Sequence, residues 1–175
     1  MRGLIAMCIV AALAACEPMA RKQTADTGPN LADRLSPGCY TVDLFDPYRI
    51  NYPEGGVSPD QAAFLGRWTD AAWNGDWCHE LYITDIASDG TVSLLDAYGP
   101  YPKLGIEAQV FRRTARIENG ELSFTSVAKA GVTYKMQDGY LVGRRVDLWG
   151  EYDVTMAKRQ GVALVPIPPK NPRRG

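Results

Sequence analysis

Asn119-Gly120-Glu121-Leu122-Ser123-Phe124-Thr125 and, a few residues on, Val132-Thr133-Tyr134-Lys135-Met136-Gln137-Asp138-Gly139 decide how this chain is read. Leu122 and Phe124 fall on one face opposite Ser123 and Thr125, and Val132, Tyr134 and Met136 alternate with Thr133 and Lys135. A period of two is that of a half-buried strand. The Asn-Gly and Asp-Gly pairs beside these runs suit type I′ hairpin turns, in which both central residues take positive φ. The same punctuation occurs at Asn74-Gly75 and Asp89-Gly90, with further breaks at Gly99-Pro100, Ala130-Gly131 and Trp149-Gly150. What remains is eight candidate strands, at 66–73, 76–88, 91–98, 106–118, 121–128, 131–137, 140–147 and 151–158. Tight turns between consecutive strands make an up-and-down meander, and closing it on itself hides both edges. The expected fold is therefore all-β, an antiparallel eight-stranded barrel.

A short helix is expected to lead into it. Ser58-Pro59-Asp60-Gln61 offers an N-cap serine, proline at the first helical position and a glutamine placed to complete a capping box. Beyond residue 159 the tail, 160–175, is proline-rich and expected to lie extended on the surface or disordered. The chain has 175 residues, 46% of them hydrophobic and 22% charged, which fits one ordinary folded domain. With 19 Lys+Arg against 20 Asp+Glu it lacks the basic excess that nucleic-acid binding needs. A single histidine removes any multi-histidine metal site, and no metal or cofactor is expected.

At the N-terminus, Arg2 precedes an apolar run from Leu4 to Ala15, too short to span a bilayer and typical of a secretory signal. Its end, Leu13-Ala14-Ala15-Cys16, resembles the lipobox of bacterial lipoproteins. That resemblance implies a signal peptide over 1–15 and a mature chain beginning at a diacylated, often N-acylated, Cys16. Two or more acyl chains anchor stably where one is marginal. Glu17 is not the aspartate that retains such proteins at the inner membrane, so the resemblance implies the outer membrane, with the domain facing the periplasm. Residues 16–37 have few large apolar side chains and read as a flexible tether with a reach of roughly 25 Å. The barrel domain is then 38–159.

Of four cysteines, Cys8 leaves with the signal and Cys16 carries lipid. Cys39 and Cys78 remain, and in an oxidising compartment they are expected to pair. The loop so closed, of about 40 residues, corresponds to roughly 4 kcal/mol of chain entropy. A thiol dyad of Cys78 with His79 is disfavoured, because neighbours on a strand point to opposite faces.

Phe64-Leu65-Gly66-Arg67-Trp68 resembles the opening signature of the lipocalin and wider calycin superfamily. The resemblance implies a lipocalin-like barrel in which Trp68 plugs the closed end and Gly66 permits close backbone approach. About 93 residues from Gly66 to Lys158 is short for a lipocalin and closer to avidin-like proteins and bacterial metalloprotease inhibitors. A longer pattern resembles an exported bacterial domain of unassigned activity that is sometimes fused to hydrolases. It runs through Trp77, His79-x-Leu81-x-Ile83, Tyr98-Gly99, Arg113-x-x-Arg116-Ile117, Val132-Thr133-Tyr134 and Thr155-x-x-Lys158. It implies an accessory or binding role.

Trp73, Trp77, Tyr98 and Tyr101 are the candidate ligand-binding residues, since aromatic side chains near a barrel mouth form platforms for sugars or apolar ligands. Asp70, Asp76, His79 and Glu80 lack metal-ligand spacing and read as a solvated polar rim. Ser126-x-x-Lys129 lacks the companion motifs of penicillin-recognising enzymes. Arg112, Arg113, Arg116, Arg144 and Arg145 read as ordinary strand-surface charge rather than an anion patch, neighbours splitting between faces. No catalytic constellation emerges. The sequence thus points to a membrane-tethered module for a small ligand or partner; alternatively, bulky inward side chains fill the barrel and its loops engage or inhibit a protein. Labelled palmitate is expected to enter the wild-type chain and not Cys16→Ser; equal labelling of both would remove the anchor.

Overall fold

In the computed structural model, residues 30–39, 41, 49–53, 55–126, 129–159 and 164–165 are described. The expected signal peptide, the expected lipid site at Cys16, most of the expected tether and most of the tail lie outside them. In chain order the elements are a 3-10 turn Leu31–Arg34, β1 Ile50–Asn51, α1 Pro59–Ala62, β2 Gly66–Trp73, β3 Trp77–Ile86 and β4 Thr91–Tyr98. A second 3-10 turn, Pro102–Leu104, precedes β5 Gln109–Glu118, β6 Glu121–Thr125, β7 Gly131–Gln137, β8 Tyr140–Asp147, β9 Gly150–Lys158 and β10 Leu164–Val165. Strands β2 to β9 form one closed antiparallel barrel in sequence order. The small strands β1 and β10 pair parallel outside it, so the described part of the tail is a strand.

Turn chemistry sets the order. Asn74-Gly75, Asn119-Gly120 and Asp138-Gly139 each place both residues at positive φ. Asp89 does not; its carboxylate accepts from the Thr91 amide at 2.9 Å, and only Gly90 turns left-handed. The capping box forms at α1, with Ser58 Oγ accepting from the Gln61 amide at 3.2 Å and the Gln61 side chain accepting from the Ser58 amide at 3.1 Å.

These connections give the barrel two unlike ends. The turns at 87–90, 119–120 and 138–139 lie at the end reached first by β2, beside α1. There Trp68 is fully buried, its indole N–H donating to the Phe64 carbonyl at 2.8 Å. Lys158 lies over its ring at 5.3 Å and donates to the Ala63 carbonyl. The connections at 74–76, 99–108, 126–130 and 148–149 form the other end, called the mouth below.

Residues 30–37, read from the sequence as tether, begin with the 3-10 turn capped by Asn30, which lies against β9. A bulge in β2 between Trp68 and Ala71 puts Asp70 at φ 57, and its carbonyl accepts from the Ser36 amide at 2.6 Å. The Cys39–Cys78 disulfide forms, on the outer side of β3. Next to it Glu80 is buried on the same outer face, accepting from Arg67 at 2.9 Å, Thr69 at 2.8 Å, Tyr82 at 2.5 Å and Thr41 at 3.2 Å. Burial works to raise its pKa, but the hydrogen bonds from Tyr82, Arg67 and Thr69 outweigh it and hold the carboxylate below its usual range.

Inside, the lower barrel is packed by Leu81, Ile83, Leu94, Leu122, Leu141 and Met156, all buried. Above them Tyr134 crosses the lumen against Gly143, where a Cβ would stand 2.4 Å from the Tyr134 ring and 2.8 Å from Val154. Only glycine lets the ring lie there. Gly143→Ala is expected to lower stability by about 1–3 kcal/mol in chemical denaturation. Gly131→Ala, where a Cβ meets nothing within 4 Å, is the control and should stay within about 0.5 kcal/mol of wild type.

Candidate functional site

The mouth half of the lumen is where polar and aromatic side chains converge. Inward positions alternate along each strand, so β3 supplies Trp77 and His79, β4 supplies Asp96 and Tyr98, β5 supplies Phe111 and Arg113, and β8 supplies Arg145 and Asp147.

His79 is fully buried. Its Nδ1 lies 3.0 Å from the Ala97 carbonyl, which only accepts, so Nδ1 carries the proton and donates. Nε2 is left to accept from the Tyr134 hydroxyl at 2.8 Å. Burial drives the imidazole pKa down to about 3, despite the bond to Ala97, and the ring is neutral at ordinary pH. Both nitrogens are committed. The ring also lies 5.1 Å from Trp73 and 4.9 Å from Tyr98, centre to centre.

Asp96 is buried beside it. Its Oδ2 takes Arg113 Nε at 3.3 Å and the Tyr98 hydroxyl at 3.2 Å, while Oδ1 stands 3.9 Å from His79 Nδ1 without a hydrogen bond. Burial pushes this carboxyl up to about 6, against the pull of Tyr98 and Arg113. Arg145 pairs with Asp147 at 3.1 Å and lies 5.7 Å over the Trp77 ring; Arg113 lies 4.6 Å over Phe111. Trp73 Nε1, Arg113 Nη2 and Ser126 Oγ, like Asp96 Oδ1, are buried with no hydrogen-bond partner.

Ring contacts continue from this interior to the rim. Phe124 meets Tyr134 at 6.2 Å, and Tyr98 meets Trp77 at 4.7 Å. Trp77 stacks on Tyr101 at 5.7 Å. Trp77 donates to the Gly99 carbonyl at 2.9 Å, and Tyr101 donates to Asp76 at 2.9 Å, an oxygen that also pairs with Lys103 at 2.6 Å. Bonds from Lys103 and Tyr101 hold the Asp76 carboxylate below its usual pKa.

The four aromatic candidates are thus brought together, Trp73 and Tyr98 inside the lumen and Trp77 and Tyr101 half-buried at its rim. Gly66 and Trp68 stand at the opposite end, and Cys16 lies outside the described residues. The solvated rim expected of Asp70, Asp76, His79 and Glu80 needs correction. Alternation sends His79 into the lumen and Glu80 outward, where Thr41 and neighbouring side chains cover it, so both are buried. The arginines do split between faces: Arg113 and Arg145 enter the lumen as ion-pair partners.

Asp96 escaped the sequence reading. Its signal is position, a carboxylate on the face of β4 that also carries Leu94 and Tyr98. A concavity of about 340 Å³ lies on the outer surface between residues 33–36 and the facing parts of β2, the 74–75 turn and β9. Compared with protein-family models, curated proteins and solved structures, the chain matches none.

The two buried titrating groups oppose each other. His79, with its pKa lowered from 6.5 to about 3, contributes stability that is full above about pH 6.5 and is lost as pH falls. Asp96, raised from 3.8 to about 6, contributes stability that is full below about pH 4 and is lost as pH rises through 6. Their slopes offset each other between these limits. Asp96→Asn removes one slope and is expected to steepen the fall in Tm from about pH 7 to 5. A variant whose Tm falls no more steeply than the parent's would remove this opposition.

Proposed function

We propose that this chain is an exported, lipid-anchored accessory module of the outer membrane that works by surface contact and not by chemistry at an enclosed site. The observation that carries this reading is the occupied mouth: His79, Tyr134, Trp73, Tyr98 and two ion pairs take up the lumen where a lipocalin-type ligand would enter. An eight-stranded barrel has room for its own side chains or for one small ligand, and here the side chains take up the space. His79 supports the non-enzymatic reading, because its neutral ring spends one nitrogen on Ala97 and the other on Tyr134.

A second reading has a specific observation in its favour. Four buried polar atoms without partners, on Trp73, Asp96, Arg113 and Ser126, suit a small polar ligand held among them once Trp77 and Tyr101 part. Native mass spectrometry of the mature protein from its own host separates the two. The filled-barrel reading expects the lipidated chain with no small-molecule adduct. A stoichiometric adduct released on unfolding, and weakened by Arg113→Gln, would overturn it in favour of the ligand reading.

A further inference from the structure

Exposed apolar side chains are distributed unevenly over this barrel. Six large hydrophobic residues are exposed among the described residues, and five of them, Leu104, Val110, Val146, Leu148 and Trp149, belong to the mouth end. Leu148 is 93% exposed, Trp149 76% and Leu104 70%. Leu148 and Trp149 form the β8–β9 turn, held by the Trp149 amide donating to Asp147 at 2.9 Å. Leu104 tips the β4–β5 connection, four strands away around the barrel. Two apolar tips on opposite sides of one end define a plane across it.

The route of the chain says what meets that plane. The described chain begins at Asn30, which caps the 3-10 turn lying against β9, and residues 33–36 border the mouth turn 74–75. The tether therefore joins the body at the mouth end, beside the strand that the Leu148–Trp149 turn leads into. Only about 14 residues separate Asn30 from Cys16, a length for which a coil's reach is roughly 20 Å. An acyl group on Cys16 would hold this end nearer the bilayer, on average, than the α1 end.

We propose that the mouth rim docks on the lipid surface that anchors the chain, with Leu148 and Trp149 inserted at the headgroup level on one side and Leu104 on the other. This rests on the lipid-anchor reading above. Tryptophan favours that depth, with an apolar body and an N–H that stays wet. The charges at the rim balance, since Lys103 is paired with Asp76 and Arg144 with Glu151, and the exposed Glu107 and Lys129 are of opposite sign. Apolar area, rather than net charge, supplies the attraction. Docked so, the barrel presents α1 and the 87–90 turn away from the membrane.

The mature lipoprotein reconstituted in phosphatidylethanolamine–phosphatidylglycerol vesicles with bromines high on the acyl chains tests this. Of four tryptophans, Trp68 and Trp73 are buried and Trp77 is half-buried at the rim, so the emission of Trp149 is read as the difference between wild type and Trp149→Phe. Docking expects loss of most of the emission that distinguishes wild type from Trp149→Phe, with reduced quenching in Leu148→Asp and in Leu104→Asp. Unquenched emission from a chain whose intact mass carries acyl groups on Cys16 overturns the docking and leaves the anchor standing. A mature chain without acyl mass overturns the anchor, and this inference with it. Unquenched Trp149 in vesicles, with a photo-cross-linker at position 148 joining one defined envelope protein in cells, assigns the tip to a protein and likewise overturns the proposal.

Discussion

The barrel depends on a seam. Seven of its eight strand pairs join consecutive strands, each brought together by its own connection, but β2 and β9 must meet across the whole length of the barrel. Their ladder has only two pairs, Trp68 with Lys158 and Thr69 with Ala157, because the β2 bulge carries Asp70 out of line. Asn74 closes the far end: its amide donates to the Asp153 carbonyl at 2.9 Å, and its side-chain oxygen accepts from the Asp153 amide at 2.9 Å. That exchange mimics a ladder pair from a turn residue. The stretch between stays open, and residues 33–36 lie along it. Without both clasps the meander would present two unpaired edges.

What fills the lumen follows from closure. Closure removes water from inward side chains, so a polar group there finds a protein partner, loses its charge or, like the four atoms on Trp73, Asp96, Arg113 and Ser126, is left unpaired at a cost. His79 stays neutral, with Tyr134 and Ala97 as partners. Asp96 and Arg113 pair, an arrangement in which the attraction does little more than offset desolvation but in which losing one partner is costly. The polar layer therefore specifies which side chains lie where more than it adds stability. Its connection to the rim through Trp77 links the buried layer to the surface end of the barrel.

The strand order was legible because its determinants are local. Asn-Gly and Asp-Gly turns, alternation such as Val132-Tyr134-Met136, and the Ser58 capping box each act within a few residues. The Cys39–Cys78 pairing followed from counting cysteines. Less legible was anything that depends on which residues meet across the lumen. His79 read as rim because its neighbours Asp76 and Glu80 are polar, yet its environment is set by Tyr134, Ala97 and Trp73, far away in sequence. Asp96 gave no local motif at all. Likewise, the bulge that docks residue 36 on Asp70 rests on a positive φ that nothing around Asp70 announces.

The N-terminal segment ties this architecture to its proposed membrane setting. From Ser36 on Asp70 it passes to Cys39 on Cys78 and Thr41 on Glu80, and farther along Asn51 bonds Asp85 near the other end of β3. Its described contacts from Cys39 to Asn51 thus fall on the outer side of β3. On the lipid-anchor reading, any pull from the membrane arrives through residues 30–36, which lie across the weak seam. The next firm attachment is covalent and sits on β3, a strand paired along its length with β2 and β4. On that reading the disulfide shares the load with the well-paired wall, so that it does not rest on the seam alone. The disulfide and the buried Glu80 cluster lie where a tethered barrel with a short closing seam needs reinforcement.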